Sequence, residues 1–129
     1  MSLSERFDLT GRTAIVTGAA GLLGRQHCRA LAEAGARVVV TDTDQSACEG
    51  VARELGEFAL GVAADVTDPH SVRELLQAVL ERTGRVDVLV NNAAINDMFE
   101  NPSAALALSR FENYPLELWK RSLDVNVTG

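Results

Sequence analysis

The chain is poor in several things that would each mark a particular kind of protein. It has two cysteines in 129 residues, Cys28 and Cys48, with no C-x-x-C pair. That usage excludes a disulfide-stapled miniprotein and leads us to expect a reducing, cytoplasmic setting. Its two histidines, His27 and His70, fall on different predicted helices without partner residues, so no metal centre is expected. Basic residues are outnumbered, 12 Lys and Arg against 18 Asp and Glu, for a net charge of −6. Such a surface disfavours non-specific binding to nucleic acid or an anionic membrane. No apolar run approaches the roughly 20 residues that cross a bilayer. Met1 to Leu9 carries Glu5, Arg6 and Asp8 where a signal peptide needs an apolar core. There is one tyrosine, Tyr114, and one tryptophan, Trp119, which narrows the choice of a phenolic acid or base to a single side chain. What the chain does have is 47% hydrophobic residues and ten glycines, enough to bury the core of one domain at most.

Short apolar runs alternate with helix-length stretches. Thr13–Thr17 and Arg37–Thr41 read as buried strands, the second rich in β-branched residues. Phe58 to Ala64 and Val86 to Val90 read as a third and a fourth strand. Between them lie three helices. The first runs from Leu22 to Ala34, with Leu23, Ala30, Leu31 and Ala34 marking its apolar side and Gly35 closing it. The second starts at an Asp44 N-cap and closes at Gly56. The third opens at Pro69 and closes at Gly84, with a stripe of Val72, Leu75, Leu76, Val79 and Leu80. The cysteines read as helix residues packing on the sheet. This alternation predicts an α/β fold with a parallel sheet, a Rossmann-type doubly wound arrangement of strand order 3-2-1-4. Beyond Ala94 the pattern loosens; Ala104 to Ser109 reads as a short helix. Pro115 suits the first turn of a further helix, whose Trp119 is expected to pack on the sheet. The chain stops inside that helix, so residues 1–129 are expected to be the first half of the fold only.

The first strand runs into Thr17-Gly-Ala-Ala-Gly-Leu-Leu-Gly24, with glycines at 18, 21 and 24. Glycine lets the backbone turn tightly and approach a pyrophosphate, and the following helix offers free N–H groups at its positive end. A strand–turn–helix context turns a weak glycine triplet into a dinucleotide signal. Asp42 follows the second strand, where a carboxylate can accept hydrogen bonds from the adenosine ribose. Its charge would repel a 2′-phosphate, and Thr43, Asp44 and Gln45 supply no cation, so NAD is expected over NADP. An Asx turn or helix cap is the competing use of Asp42, with Asp44 the closer candidate for a cap.

Taken together, Thr17 to Gly24, Asp65-Val66, Asn91 to Ala94 and Asn126 resemble the N-terminal half of a short-chain dehydrogenase/reductase. The resemblance runs from about Phe7 onward. It implies that Gly18, Gly21, Leu23 and Gly24 form the pyrophosphate turn, that Asp65 bonds the adenine with Val66 alongside, and that Asn92, Ala93 and Ala94 support the central strand and touch the ribose. Asn126 matches the asparagine of the family's Asn-Ser-Tyr-Lys catalytic set, where it helps hold a water; the competing use is a helix asparagine bonded to nearby backbone. Two departures stand out. Leu22 occupies the middle-glycine position of the single-domain branch while Gly21 fits the extended branch, and Ala94 replaces a glycine. The asparagine motifs favour the single-domain branch.

The resemblance implies hydride transfer between a nicotinamide and a small-molecule alcohol or carbonyl, and assembly as a homo-oligomer. The family's acid/base is a tyrosine with a lysine four residues later. Position 118 is Leu, and Lys120 lies six residues after Tyr114 with Pro115 between, so Tyr114 reads as a loop residue and these 129 residues alone are expected to be inactive. The alternative is a non-catalytic dinucleotide-binding module, regulatory or structural. A methyltransferase would share the glycine turn and the acidic residue but has no use for the asparagines.

Overall fold

The computed structural model describes residues 1–96, 102–103, 107 and 110–129, the side chain of Ser4 excepted. They form two compact units, Met1–Ala93 and Ala94–Gly129. The first opens with a single helical turn, α1 (Leu3–Arg6), followed by β1 (Thr13–Thr17), α2 (Leu22–Glu33), β2 (Arg37–Thr41), α3 (Gln45–Leu55), β3 (Leu60–Gly61), α4 (Pro69–Thr83) and β4 (Val88–Val90). All strand pairs are parallel, in the order β3-β2-β1-β4. This is the predicted order, and its physical basis is visible strand by strand. Every residue of β1 is buried, and β2 is buried from Val38 on. Ala14, Val16, Val38 and Val40 face one way and pack with Cys28 of α2 and Cys48, Val51 and Ala52 of α3. Ile15 and Val39 face the other way and meet Leu75 and Val79 of α4. A sheet buried on both faces needs continuous apolar strands, and those two runs supply them.

Several expectations are corrected. The third strand is shorter than 58–64: a turn bond from Ala59 N–H to the Gly56 carbonyl (3.2 Å) keeps Phe58 exposed, and the ladder proper is Leu60–Gly61. The segment still follows β2, with Val62 N–H donating to Val40 and Ala64 N–H to Asp42. The fourth strand begins at Val88 rather than Val86. The buried side of α2 is Gly24 and Cys28, not Leu23 and Ala30, which are exposed. On α4 only Leu75 and Val79 are buried, while Val72, Leu76 and Leu80 stay partly open. Caps fall as predicted at Asp44, Gly56 and Gly84, and Pro69 opens α4 as expected, behind an Asp68 N-cap.

In the second unit a 3₁₀ turn (Phe111–Asn113) precedes α5 (Leu116–Leu123), which continues into a wider π turn over Asp124–Thr128. Pro115 is the N-cap rather than a first-turn residue. Trp119, expected to pack on the sheet, is 54% exposed. The helix expected over 104–109 lies largely outside the described residues.

Asp87 ties the start of β1 to the start of β4. Its carboxylate accepts from Arg85 Nε (2.8 Å) and Nη2 (2.6 Å), from Thr13 N–H (2.8 Å) and from Arg12 Nη1 (3.1 Å). The Arg85 guanidinium, helped by the Thr13 N–H, holds this carboxyl well below the usual carboxylate range. A folded-state value below the unfolded one means that Asp87 stabilises fully above the ordinary carboxylate range, and that this contribution is lost as pH falls from about 5. Asp87→Asn is therefore expected to lower the urea midpoint at pH 7 and to flatten its decline toward pH 3. A parallel decline in variant and wild type would refute this.

Candidate functional site

The carboxyl ends of β1, β2 and β4 converge on the glycine-rich turn. Gly18 leaves β1 with φ +60°, and a Cβ there would lie 2.7 Å from Ala93 Cα. Gly24, in the first turn of α2, is packed against the Gly18 carbonyl oxygen so closely that a Cβ would collide with it and with Ala19 Cα. Gly21 is different: it is the N-cap of α2 with an ordinary φ of −76°. Glycine also leaves α2 without a side-chain cap, whereas Asp44 and Asp68 cap α3 and α4. The first-turn N–H groups of α2 thus keep their capacity for an anion. Leu23 sits at this exposed helix start.

Asp42 lies one residue past β2, and its carboxylate is bonded to the turn. Oδ2 accepts the Ala20 N–H (3.0 Å) and Oδ1 the Thr43 N–H (2.8 Å). The N-cap of α3 is Asp44, whose Oδ1 accepts from Ala47 N–H, so the capping alternative for Asp42 does not hold. A carboxylate has about four acceptor positions, so Asp42 retains two for a ligand. Beyond β3, Asp65 is exposed and its Oδ1 accepts from the Thr67 hydroxyl (2.7 Å) and N–H (2.8 Å), contacts that lower its pKa. Val66 beside it is half-buried.

Asn92 locks the far side of the turn. Its Nδ2 donates to the carbonyls of Thr17 (3.0 Å) and Gly18 (3.1 Å). Thr17 answers: its hydroxyl accepts the N–H groups of Asn92 (3.1 Å) and Ala93 (3.0 Å) and donates to Val90 O (3.3 Å). Thr17 was not singled out in the sequence, nor was Arg25, whose Nε holds the Ala20 carbonyl (3.0 Å) and whose Nη1 reaches Glu54 (3.4 Å). Thr17 as the last strand residue before the first glycine was the available signal; Arg25 had none beyond its place after Gly24.

In the second unit, Asn126 bonds Ile95 in both directions: Oδ1 accepts Ile95 N–H (2.8 Å), and Nδ2 donates to Ile95 O (3.1 Å) and to Ser122 Oγ (3.2 Å). Ala94 immediately precedes Ile95 in that unit. Tyr114 sits in the loop before α5, and Lys120 pairs with Glu117 (3.5 Å). His70 Nε2 lies 3.3 Å from Glu74. Among the described residues, no cluster of three metal-ligating side chains is found and no helix is long and apolar enough to cross a membrane.

Residues 12–129 match the short chain dehydrogenase family. The chain belongs to that family. Similarity to individual members is of the same kind. A sorbitol dehydrogenase of Cereibacter sphaeroides is 41% identical over 121 residues, which are 94% of this chain and 43% of that enzyme. The crystal structure of a short-chain type dehydrogenase/reductase from Mycobacterium marinum superposes with a TM-score of 0.83 at 34% identity, covering 99% of this chain and 49% of that one. That of a 3-ketoacyl-(acyl-carrier-protein) reductase from Brucella melitensis, complexed with NADH, superposes with a TM-score of 0.78 at 35% identity, covering 92% and 45%. This family member thus spans about half the length of these relatives.

Proposed function

We propose that these residues are the dinucleotide-binding half of an oxidoreductase that uses NAD(H) in preference to NADP(H) and acts on an alcohol or carbonyl carbon of a small molecule. The observation that carries this reading is the Asp42 carboxylate fastened to the glycine-rich turn at Ala20. A dinucleotide fits the residues present: glycine at 18 and 24 lets the turn close tightly where a Cβ would collide with the backbone, and the start of α2 is uncapped. When bound, the nicotinamide supplies hydride transfer.

Each residue then has a task. Gly18, Gly21, Leu23 and Gly24 shape the turn, and the N–H groups at the start of α2 receive the negative pyrophosphate. Asp42 accepts from ribose hydroxyls with its remaining lone pairs, and its charge opposes a phosphate at the same place. Asp65, with Val66 alongside, serves the adenine. Asn92, with Ala93, keeps the end of β4 against the turn, and Ala94 is assigned to the ribose by the resemblance alone. The Asn126 side chain is already committed to Ile95, so we assign it a positioning task on that backbone. Tyr114 is not assigned as the acid/base, because position 118 is Leu and Lys120 lies six residues on, with Pro115 between.

Titration of the full-length protein with NAD+ and NADP+ tests the reading. NAD+ is expected to bind more tightly. Asp42→Ala is expected to weaken NAD+ by roughly 10- to 100-fold, the worth of hydrogen bonds to a charged group, and to narrow the gap to NADP+. Unchanged affinity for both would remove Asp42 from the site, and no binding of either by wild type would overturn the reading. NAD+-dependent alcohol oxidation separates the enzyme from a non-catalytic nucleotide-binding module that shares this half-site.

A further inference from the structure

We propose that Cys48 is a positioning residue for cofactor choice, its thiol holding the backbone of Asp42 so that the carboxylate stays aimed at the ribose; this rests on the reading of Asp42 above. Asp42 stands just beyond β2, where its backbone has left the ladder with β1. On one side its carbonyl accepts the Ala64 N–H (2.9 Å). On the other, its N–H donates to Cys48 Sγ at 3.1 Å, and the thiol lies 3.7 Å from the Asp42 carbonyl, in range to donate back. A thiol is both a weak donor and a weak acceptor, so one side chain serves both backbone groups.

The support behind Cys48 is rigid. Its own N–H donates to the Asp44 carbonyl (3.0 Å) in the first turn of α3, which Asp44 caps. The helix lies so near β3 that a Cβ on Gly61 would come within 2.7 Å of the Cys48 carbonyl carbon. Cys48 is fully buried, and burial pushes its thiol up, which keeps it neutral and able to donate. Cys28 offers an internal comparison. It is equally buried in the same core cluster, yet its thiol has no bond to Asp42 among the described residues. If cysteine were only a small apolar filler at both places, the two positions would respond alike to substitution.

The test measures dissociation constants for NAD+ and NADP+, with the thermal midpoint, on full-length wild type, Cys48→Ala, Cys48→Val, Cys48→Ser, Cys28→Ala and Asp42→Asn. Cys48→Ala is expected to reduce the NADP+/NAD+ ratio of dissociation constants about fivefold, the scale of one lost neutral hydrogen bond. Cys48→Val refills the core without a polar atom and is expected to reduce the ratio equally, which keeps the test available if the alanine variant is too unstable to titrate. Cys48→Ser retains a donor and acceptor and is expected to restore most of the ratio. Cys28→Ala is expected to lower the midpoint and leave the ratio alone. If Asp42→Asn collapses the ratio while Cys48→Ala and Cys48→Val keep it, or if Cys28→Ala changes it as much as they do, Cys48 is packing only and the inference is overturned. If Asp42→Asn itself leaves the ratio unchanged, the cofactor reading fails, and this inference with it.

Discussion

Gly24→Ala is expected to destabilise the sheet unit by roughly 1–3 kcal/mol, the range for overpacking a tight interior, and to abolish measurable dinucleotide binding. The reason is that nothing near the new methyl group can give way cheaply. A Cβ at Gly24 would fall on the Gly18 carbonyl oxygen and 2.7 Å from Ala19 Cα, both of them backbone. Gly18 is itself held, by the Asn92 Nδ2 bond to that carbonyl (3.1 Å) and by the Gly21 N–H bond to it (3.2 Å). Either the 18–19 peptide rotates and gives up those bonds, or α2 withdraws from β1 and loses the packing of Cys28 against the strands. Both responses reshape the turn that receives the pyrophosphate. Gly21→Ala is the informative comparison: its φ is ordinary and the nearest atom would be 3.3 Å away, so an effect of about 1 kcal/mol or less is expected, typical of a poor N-cap residue. Urea unfolding and NAD+ titration of both variants check this. A Gly24→Ala protein with wild-type midpoint and affinity would show that the tight contact is not needed.

That contrast between two glycines of one motif marks what the sequence could and could not convey. The strands β1 and β2 were legible because a β-branched run buried on both faces has few alternatives. The helices α3 and α4 were legible at both ends because Asp44, Pro69, Gly56 and Gly84 are local signals, each acting within a turn of where it stands. The buried side of α2 was not. Counting apolar groups found Leu31, which packs on the core, but also selected the exposed Leu23 and Ala30, whereas the fully buried positions carry small side chains, Gly24 and Cys28. Clearance between backbones is a tertiary property, and hydropathy does not record it. Phe58 misled for a related reason, since a turn closing at Gly56 decides where the third strand can begin. At the site, the competition between Asp42 and Asp44 for the cap could be weighed from spacing but needed the Ala47 N–H to resolve. Cys48 read as a small hydrophobe, because its polar contacts depend on where the start of α3 falls beside the end of β2. The Thr17–Asn92 clasp joins residues 75 positions apart, beyond any local pattern.

That clasp carries the second large expected effect. Thr17→Val preserves shape and removes only the hydroxyl, at a position 6% exposed. The Ala93 N–H then loses its acceptor at 3.0 Å, while the Asn92 N–H keeps a second one, the Val90 carbonyl at 3.0 Å. Val90 O in turn loses the hydroxyl at 3.3 Å. Val90 O keeps the Asn92 N–H, so the Ala93 N–H is the one group left unpaired, and a loss of about 1–3 kcal/mol is expected, a sizeable fraction of what holds a domain together. The loss propagates to the turn through Asn92, whose side chain bridges Thr17 and Gly18 only while the end of β4 is held in place. Weaker NAD+ binding should therefore accompany the lower urea midpoint, and the Ala93 amide should exchange with solvent faster. Thr17→Ser keeps the hydroxyl and gives up one methyl group, about 1 kcal/mol of buried apolar surface, so it should retain the slow Ala93 exchange. If Thr17→Val matched Thr17→Ser in stability and in Ala93 exchange, the Asn92 amide alone would be fastening β4 to the glycine turn, and the hydroxyl would contribute nothing beyond its volume.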